Sequence, residues 1–233
     1  MDTRRQIAEV ERKAHQGDYG AWRRDFCRSY REVLARICRQ ASEEQKEYLA
    51  ARGTAMSCAK GCAFCCVQYI SISLAHGLLI VDYLYRNAKL IDPFLKRYGK
   101  WQRSLAGSAA LQELEKYTSN SNVVRRTPQG LLDLYARYNI ACPFLEQNLC
   151  TIYPVRPICC ASHVSISPPE YCRSQSESQA MICEATPPEK DLRELAMLGE
   201  PMLSLHQETM PRLVFRLLIE GLPEVEKKVE LLS

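Results

Sequence analysis

Apolar residues recur at helical spacing near the start of the chain. The positions that carry this pattern are Trp22, Phe26, Tyr30, Val33 and Ile37. They fall within an arc of about 80° when successive residues are placed 100° apart, which is typical of an amphipathic helix packed on a core. We therefore predict a helical segment over about residues 3–51, with a break near Gly17 and Gly20. Ser42 and Gln45 fit a capping box that would restart a short helix.

Three stretches in the middle of the chain combine helical spacing with start signals. Ser73 can cap a helix that continues through Leu84. Asp92–Pro93 fits the N-cap and first position of the next helix, which we expect to break near Gly107. Thr127–Pro128 repeats that signature and opens a third helix.

The C-terminal part of the chain returns to helical spacing after Pro188. One helix is expected around Leu195, and a second over Leu213–Ile219 that ends near Gly221. Strand signals are sparse by comparison. Val67–Ser73, which is rich in β-branched and aromatic residues, predicts one short extended piece.

Residues 142–170 cannot form a long helix, because proline interrupts them repeatedly. The interrupting residues are Pro143, Pro154, Pro157, Pro168 and Pro169. We therefore predict a mainly α fold, an irregular helical bundle with Cys/Pro-rich metal-binding loops at one end. We expect a single domain over residues 1–233, with a metal-binding core at about 55–185 and flanking helices at 3–51 and 188–230.

Cysteine content changes this picture from a plain helical bundle to a metal protein. The chain holds 12 cysteines, and ten of them lie between Cys58 and Cys183. No signal peptide is visible, and no window approaches the ~18 uncharged apolar residues of a membrane span. We expect a cytoplasmic protein with no membrane partner. Thiols stay reduced in that compartment, which favours metal ligation over disulfides.

Two separate segments supply the thiols that we expect to bind metal. The eight predicted ligands are Cys58, Cys62, Cys65, Cys66, Cys142, Cys150, Cys159 and Cys172. Eight thiolates are enough for two four-coordinate centres. Adjacent side chains diverge, so Cys65 and Cys66 fit two centres or one polynuclear cluster better than one tetrahedral ion. Soft thiolates suit an iron–sulfur cluster, iron or zinc alike.

Other residues stay open as ligands. Cys160, Cys183 and His163 could replace a member of the predicted set or complete an open site. His76 remains eligible, although a structural role is favoured for a lone histidine on a helix. The vicinal pair leaves open whether Cys159 or Cys160 is the ligand.

Net charge favours metal ions over polyanions as partners. The formal net charge is +4. Eight thiolates would turn it to −4, and two divalent ions would return it to zero. The mild basic excess can therefore serve an internal thiolate cluster. We expect metal ions as partners and no nucleic acid, and a protein substrate stays open.

The combined cysteine motifs resemble the zinc- or iron-chelating cysteine-cluster proteins of the YkgJ type. That pattern is a tight C-x2/3-C-x2-C-C, then C-P-F-L, C-x-I-Y and R-P-x-x-C, with a further cysteine downstream. The matching residues, within about 55–175, are Cys58, Cys62, Cys65, Cys66, Cys142 to Leu145, Cys150, Ile152, Tyr153, Arg156, Pro157, Cys159 and Cys172. The resemblance implies chelation and names no reaction. Family members often have arginine where this chain has Cys160.

Arg156 and Tyr153 are the candidate cofactor-supporting residues inside this motif. An arginine between cysteines can donate N–H groups to thiolates and partly neutralise them. The alternative for Arg156 is a surface residue in a proline turn.

Several classes of function remain open. The chain could be a redox or metal-dependent enzyme, a binding module with structural zinc, or a chelator for storage or delivery. A flagellin lysine N-methylase is similar in its cysteine pattern, which implies a protein lysine methylase-like alternative, although no glycine-rich adenosylmethionine loop is visible. The spacing Cys58-x3-Cys62-x2-Cys65 also occurs in radical S-adenosylmethionine enzymes, whose strand-rich pattern this chain does not share.

Overall fold

The protein is mainly helical, as its sequence predicts. The computed structural model describes residues 21–109, 112–113, 129–173, 176–198 and 207–221. Within these ranges it has seven α-helices and three two-stranded antiparallel ribbons. The strands are two or three residues long, so helix packing supplies most of the core.

The helices are α1 (Ala21–Ala50), α2 (Leu74–Arg86), α3 (Ile91–Leu105), α4 (Gln129–Arg137), α5 (Ile158–Ser162), α6 (Glu189–Met197) and α7 (Met210–Ile219). The strands are β1 (Ser71–Ser73), β2 (Leu145–Glu146), β3 (Leu149–Cys150), β4 (His163–Ser165), β5 (Ile182–Glu184) and β6 (Gln207–Thr209). Short 3₁₀ segments lie at Phe64–Val67, Ala88–Leu90, Tyr153–Val155 and Pro169–Cys172.

Helix α1 buries the predicted apolar stripe. Phe26, Tyr30, Val33 and Ile37 are all at most 5% exposed. The predicted restart at Ser42 is wrong, because α1 runs without a break to Ala50. Gln45, the other residue of the predicted box, instead donates to the carbonyls of Ser162 and Cys183. The predicted break near Gly17 and Gly20, and the side chain of Trp22, lie outside the described residues.

The predicted start of α2 is confirmed, and that of α3 is wrong. The Ser73 hydroxyl accepts the His76 backbone N–H at 3.3 Å, which caps α2. Helix α3 begins at Ile91 directly after a 3₁₀ turn, so Leu90 occupies the N-cap and Asp92 lies in the first turn. There Asp92 pairs with Lys96, with Nζ 2.7 Å from Oδ2.

The predicted ends and C-terminal helices agree with the structure. Helix α3 stops at Leu105, and Gly107 follows with φ +75°, a conformation that glycine adopts without strain. Helix α6 starts after Pro188, and α7 ends shortly before Gly221. The Thr127–Pro128 cap lies outside the described residues, although the helix expected after it is present as α4.

One core joins α1, α2, α3 and α7. Helix α2 approaches α7 closely at Gly77, where an added Cβ would lie 2.8 Å from Leu217 Cδ1. The ring of Phe144 is fully buried and stacks on Phe94, with centroids 4.5 Å apart. That stack fixes the loop after Cys142 to helix α3, and such aromatic pairs contribute about 1 kcal/mol beyond area burial.

The ribbons order segments that the sequence predicts as loops. Strands β2 and β3 form a hairpin in which Leu145 opposes Cys150. Its two turn residues, Gln147 and Asn148, have φ of 48° and 61°, as a type I′ turn requires. The extended piece predicted at Val67–Ser73 is confined to β1, which pairs with β6.

No described helix combines the length and the apolar run that a bilayer crossing requires.

Candidate metal centre

The two cysteine-rich segments meet in the fold. The backbone N–H of Cys142 donates to the carbonyl of Cys66 at 2.7 Å, which joins the first segment to the second. The backbone N–H of Ser57 donates to the Ser165 carbonyl at 2.9 Å. All twelve cysteines lie among the described residues, and all are free thiols. The predicted convergence is thus built by backbone hydrogen bonds and not by disulfides.

Four of these thiols form what we call the outer set: Cys58, Cys62, Cys65 and Cys172. Burial first, then the charges of Cys58, Cys65 and Cys62, raise the pKa of Cys172. The pKa of Cys62 is raised chiefly by burial, and then by its Cys58 and Cys65 neighbours. Thiols that perturb one another's ionisation in this way are near enough to interact electrostatically.

Four others form what we call the inner set: Cys66, Cys142, Cys150 and Cys160. Burial raises the pKa of Cys142 to about 12, and the charge of Cys150 acts in the same direction. The pKa of Cys160 is raised by its hydrogen bond with Cys159, by burial, and then by the charges of Cys159, Cys142 and Cys65. Cys142 and Cys150 pack directly against the hydrophobic core.

Cys65 lies at the junction between the two sets. Its charge acts on members of both, including Cys172 and Cys150. A hydrogen bond from Cys66 lowers the pKa of Cys65 to about 6, and the same bond raises the pKa of Cys66 well above its ordinary value. Within this vicinal pair, the hydrogen bond therefore favours ionisation of Cys65 over ionisation of Cys66.

Backbone N–H groups are aimed at sulfur atoms in both sets. The N–H of Ser165 lies 3.2 Å from Cys58 Sγ. In three further cases the donor is the residue two positions after the cysteine, and each bond lowers the pKa of that thiol. The pairs are Phe64 to Cys62, Phe144 to Cys142 and Ile152 to Cys150. Donors fixed in this way stabilise thiolates, which are the metal-binding form of cysteine.

Cationic side chains lie near these sulfurs. The guanidinium carbon of Arg156 is 4.1 Å from the ring centroid of the exposed Tyr153. The positive charge of Arg156 is among the causes that lower the pKa of Cys65 and oppose the rise at Cys150. His163 also favours the Cys65 thiolate, while its Nδ1 lies 3.1 Å from Glu184 Oε1.

Arg97 is a neighbour of the inner set that sequence reasoning missed. Its Nε donates to the Pro143 carbonyl at 2.7 Å, and its charge opposes the rise in the pKa of Cys142. The buried Nη2 has no hydrogen-bond partner among the described residues. Arg97 is 45 residues from Cys142 in sequence and lies on α3, so no local pattern pointed to it.

Gln45 and His76 hold the surroundings of the centre. Gln45 of α1 donates to the carbonyls of Ser162 and Cys183 at 2.5 and 2.8 Å, and this tie spans α5 and β5. The ring Nε2 of His76 is 2.9 Å from the Val155 carbonyl, and the side chain is buried. The structure therefore gives His76 the structural role that its sequence context favours.

The donor set fits thiophilic metals in kind, but the sulfurs are not preassembled around an ion. Within the described ranges, no three Cys, His, Asp or Glu side chains stand in an arrangement that would hold a metal. The mutual pKa effects nevertheless place the thiols within electrostatic reach of one another. Thiols can affect one another's pKa without standing in a metal-binding arrangement, because charge interactions act over longer distances than metal–sulfur bonds of about 2.3 Å.

Comparison with protein-family models, with characterised proteins and with solved structures found no match to this chain. The resemblance to the YkgJ type therefore stays a prediction that rests on the cysteine motifs.

Proposed function

We propose that this protein binds metal through two sets of four thiolates, the inner set and the outer set, supplied by cysteine- and proline-rich loops at one end of a helical frame. The observation that carries the proposal is the meeting of two segments about 80 residues apart in sequence, where the Cys142 N–H donates to the Cys66 carbonyl at 2.7 Å. Thiols from both segments also act on one another's pKa.

Several features of the chain support thiolate ligation in particular. Four sulfurs accept backbone N–H groups, and three positively charged or titratable side chains, Arg97, Arg156 and His163, act on the thiols. Four thiolates around a divalent ion leave a net negative charge, so nearby cations stabilise the complex. The YkgJ-type motif points to the same chemistry.

We propose that metal binding rotates cysteine side chains on a loop backbone that is already held in place. The backbone near the sulfurs is held by the Cys142–Cys66 bond, by the β2–β3 hairpin and by the Phe94–Phe144 stack. A change of χ1 rotamer moves a cysteine sulfur while leaving that backbone in place. We infer that Cys160, and not Cys159, completes the inner set, because Cys160 shares charge interactions with Cys142 and Cys65.

The metal belongs to the class that soft thiolates select, namely zinc, iron or an iron–sulfur cluster. When bound, zinc would tie the loops together, whereas an iron–sulfur cluster would also supply electron transfer. Free thiols throughout the chain fit a reducing compartment, and we propose the cytoplasm.

The test is elemental analysis and an absorption spectrum of the full chain purified without oxygen. We expect bound zinc, or iron with a coloured spectrum and acid-labile sulfide. Cys142→Ser should lose the metal of the inner set, about half of the wild-type content, whereas the matched control Cys183→Ser, on the edge of the same region, should keep all of it. Metal-free wild-type protein, or equal loss in both variants, would refute the proposal.

A further inference from the structure

A cavity of about 330 Å³ lies beside α5 and is separate from the sulfur sets. It is bounded by α1, α2, the β1–β6 ribbon, α5 and α6. Its size is at the small end of the range for small-molecule sites in proteins, about 300–1,000 Å³. A cavity of this volume accommodates a molecule the size of a substituted benzene ring.

One wall of this cavity is polar because of the ribbon's register. Side chains two apart on a strand share a face, and Ser73 is paired with Gln207. Ser71, Ser73 and Gln207 therefore line the same side. Ser73 is occupied in capping α2. Ser71 and Gln207 have no side-chain hydrogen-bond partner among the described residues, so both can bond a ligand.

Other residues of the lining are apolar. They include Ile158 of α5, and Leu192 and Leu195 of α6. Leu192 is 40% exposed, which leaves apolar surface at the mouth of the cavity. A bound molecule would cover this surface, and burial of apolar area stabilises a complex by roughly 25 cal/mol per Å².

No Lys, Arg, Asp or Glu is among the described residues that line the cavity. The one histidine there, His76, is buried with its Nε2 bonded to the Val155 carbonyl, and burial lowers its pKa to about 4. An ion would therefore lose hydration on entry without gaining an opposite charge, which is costly. The cavity selects against charged molecules.

We propose that this cavity binds a small uncharged molecule with an apolar body and one hydrogen-bonding group, as in an aromatic alcohol. The hydrogen-bonding group faces Ser71 and Gln207, and the apolar body lies against Leu192 and Leu195.

The cavity also adjoins the proposed metal centre. Cys159 lines it, and Cys160, the next residue, belongs to the inner set. Successive residues of a helix diverge by about 100°, so α5 presents one thiol to the cavity and the other to the inner set. A molecule bound in the cavity would therefore lie next to the proposed centre. That link rests on the proposed function, whereas binding rests on the cavity alone.

The probes for the test are benzyl alcohol, benzoate and benzylammonium, which have similar shapes and differ in charge. Binding to the anaerobically purified full chain is measured by ligand-observed NMR titration. We expect benzyl alcohol to bind at least tenfold more tightly than either ion. Ser71→Ala should weaken benzyl alcohol binding about threefold to tenfold, the effect of one hydrogen bond.

A pair of tryptophan variants on α6 localises the binding. Ala196→Trp places a large ring at the rim of the cavity, whereas Met197→Trp adds the same ring at a position that is 83% exposed and outside the lining. We expect the first to abolish benzyl alcohol binding and the second to leave it unchanged. Absent binding in wild type, equal binding of the ions, or retained binding in Ala196→Trp would each overturn the proposal.

Metal content is measured on the same samples. Benzyl alcohol binding in a chain that never holds metal would support the cavity and refute the metal centre. Bound metal in a chain that does not bind benzyl alcohol would support the metal centre and refute the cavity proposal.

Discussion

Vicinal cysteines set the chemistry of this chain at the scale of single residues. In Cys65–Cys66 and in Cys159–Cys160, a sulfur–sulfur hydrogen bond lowers the pKa of the first thiol and raises that of the second. The first thiol of each pair therefore ionises more readily than the second, although the two are chemically identical. Neighbouring side chains also point in different directions, so the two sulfurs of one pair can face two different surroundings.

The pair on α5 gives a direct prediction. Cys160→Ser should remove metal from the inner set, since Cys160 interacts with Cys142 and Cys65. Cys159→Ser should retain full metal content, because that thiol lines the cavity. Metal-to-protein ratios of the two purified variants make the comparison. Greater metal loss in Cys159→Ser than in Cys160→Ser would reverse our assignment.

His76 predicts a dependence of stability on pH. Its pKa falls from the ordinary 6.5 to about 4 on folding, since burial disfavours the charged ring. The contribution of the neutral ring is therefore complete above about pH 6.5 and is lost as pH falls towards 4. We expect the free energy of unfolding to drop by up to about 3 kcal/mol across that interval.

The control for this prediction is His76→Gln, which can keep a donor for the Val155 carbonyl but does not titrate. Denaturant unfolding at several pH values measures both proteins. Carboxylates titrate in both, so the difference between the two curves isolates the histidine. Parallel curves for wild type and variant would show that His76 contributes no pH dependence.

At the scale of elements, α1 holds the second cysteine segment through one buried side chain. Gln45 supplies both hydrogens of its amide to the carbonyls of Ser162 and Cys183. These carbonyls end α5 and lie in β5, next to Cys160 of the inner set. The longest helix of the described chain therefore serves as the frame on which the short α5 is positioned.

Replacing this amide should cost substantial stability. Gln45→Leu removes a buried amide donor from two carbonyls, and we expect a loss of about 2–4 kcal/mol in the free energy of unfolding. Gln40→Leu, five residues earlier on the same helix, removes a surface bond to Glu44 and should change stability by less than about 0.5 kcal/mol. Chemical denaturation of both variants provides the measurement. Similar losses of stability in the two variants would contradict a stabilising role for the Gln45 amide bonds.

Local signals predicted the elements where local contacts form them. The Ser73 cap and the Gly107 stop depend on neighbours within four residues, and both are confirmed. The Ser42 and Gln45 box is wrong, because tertiary partners more than 100 residues away take the Gln45 amide. Strand β6 was missed for the same reason, since its partner β1 lies far away in sequence.

At the scale of the whole molecule, the sequence predicted that the two cysteine-rich segments meet. It did not predict which thiols belong to the inner set and which to the outer set. Spacing shows that Cys58 to Cys66 are close together, whereas membership of a set depends on contacts between distant segments. Arg97 and Ser165 approach the sulfurs only through tertiary structure. Neither carries a local signature, so no reading of a single sequence would have found them.

The division into two sets is the central claim, and counting metal in three variants tests it most directly. Cys172→Ala removes an outer ligand, Cys150→Ala removes an inner ligand, and the third variant combines them. We predict that each single change lowers the metal-to-protein ratio to about half of the wild-type value, and that the double change empties the protein. Complete loss from either single change would contradict two independent sets, as would full retention in both.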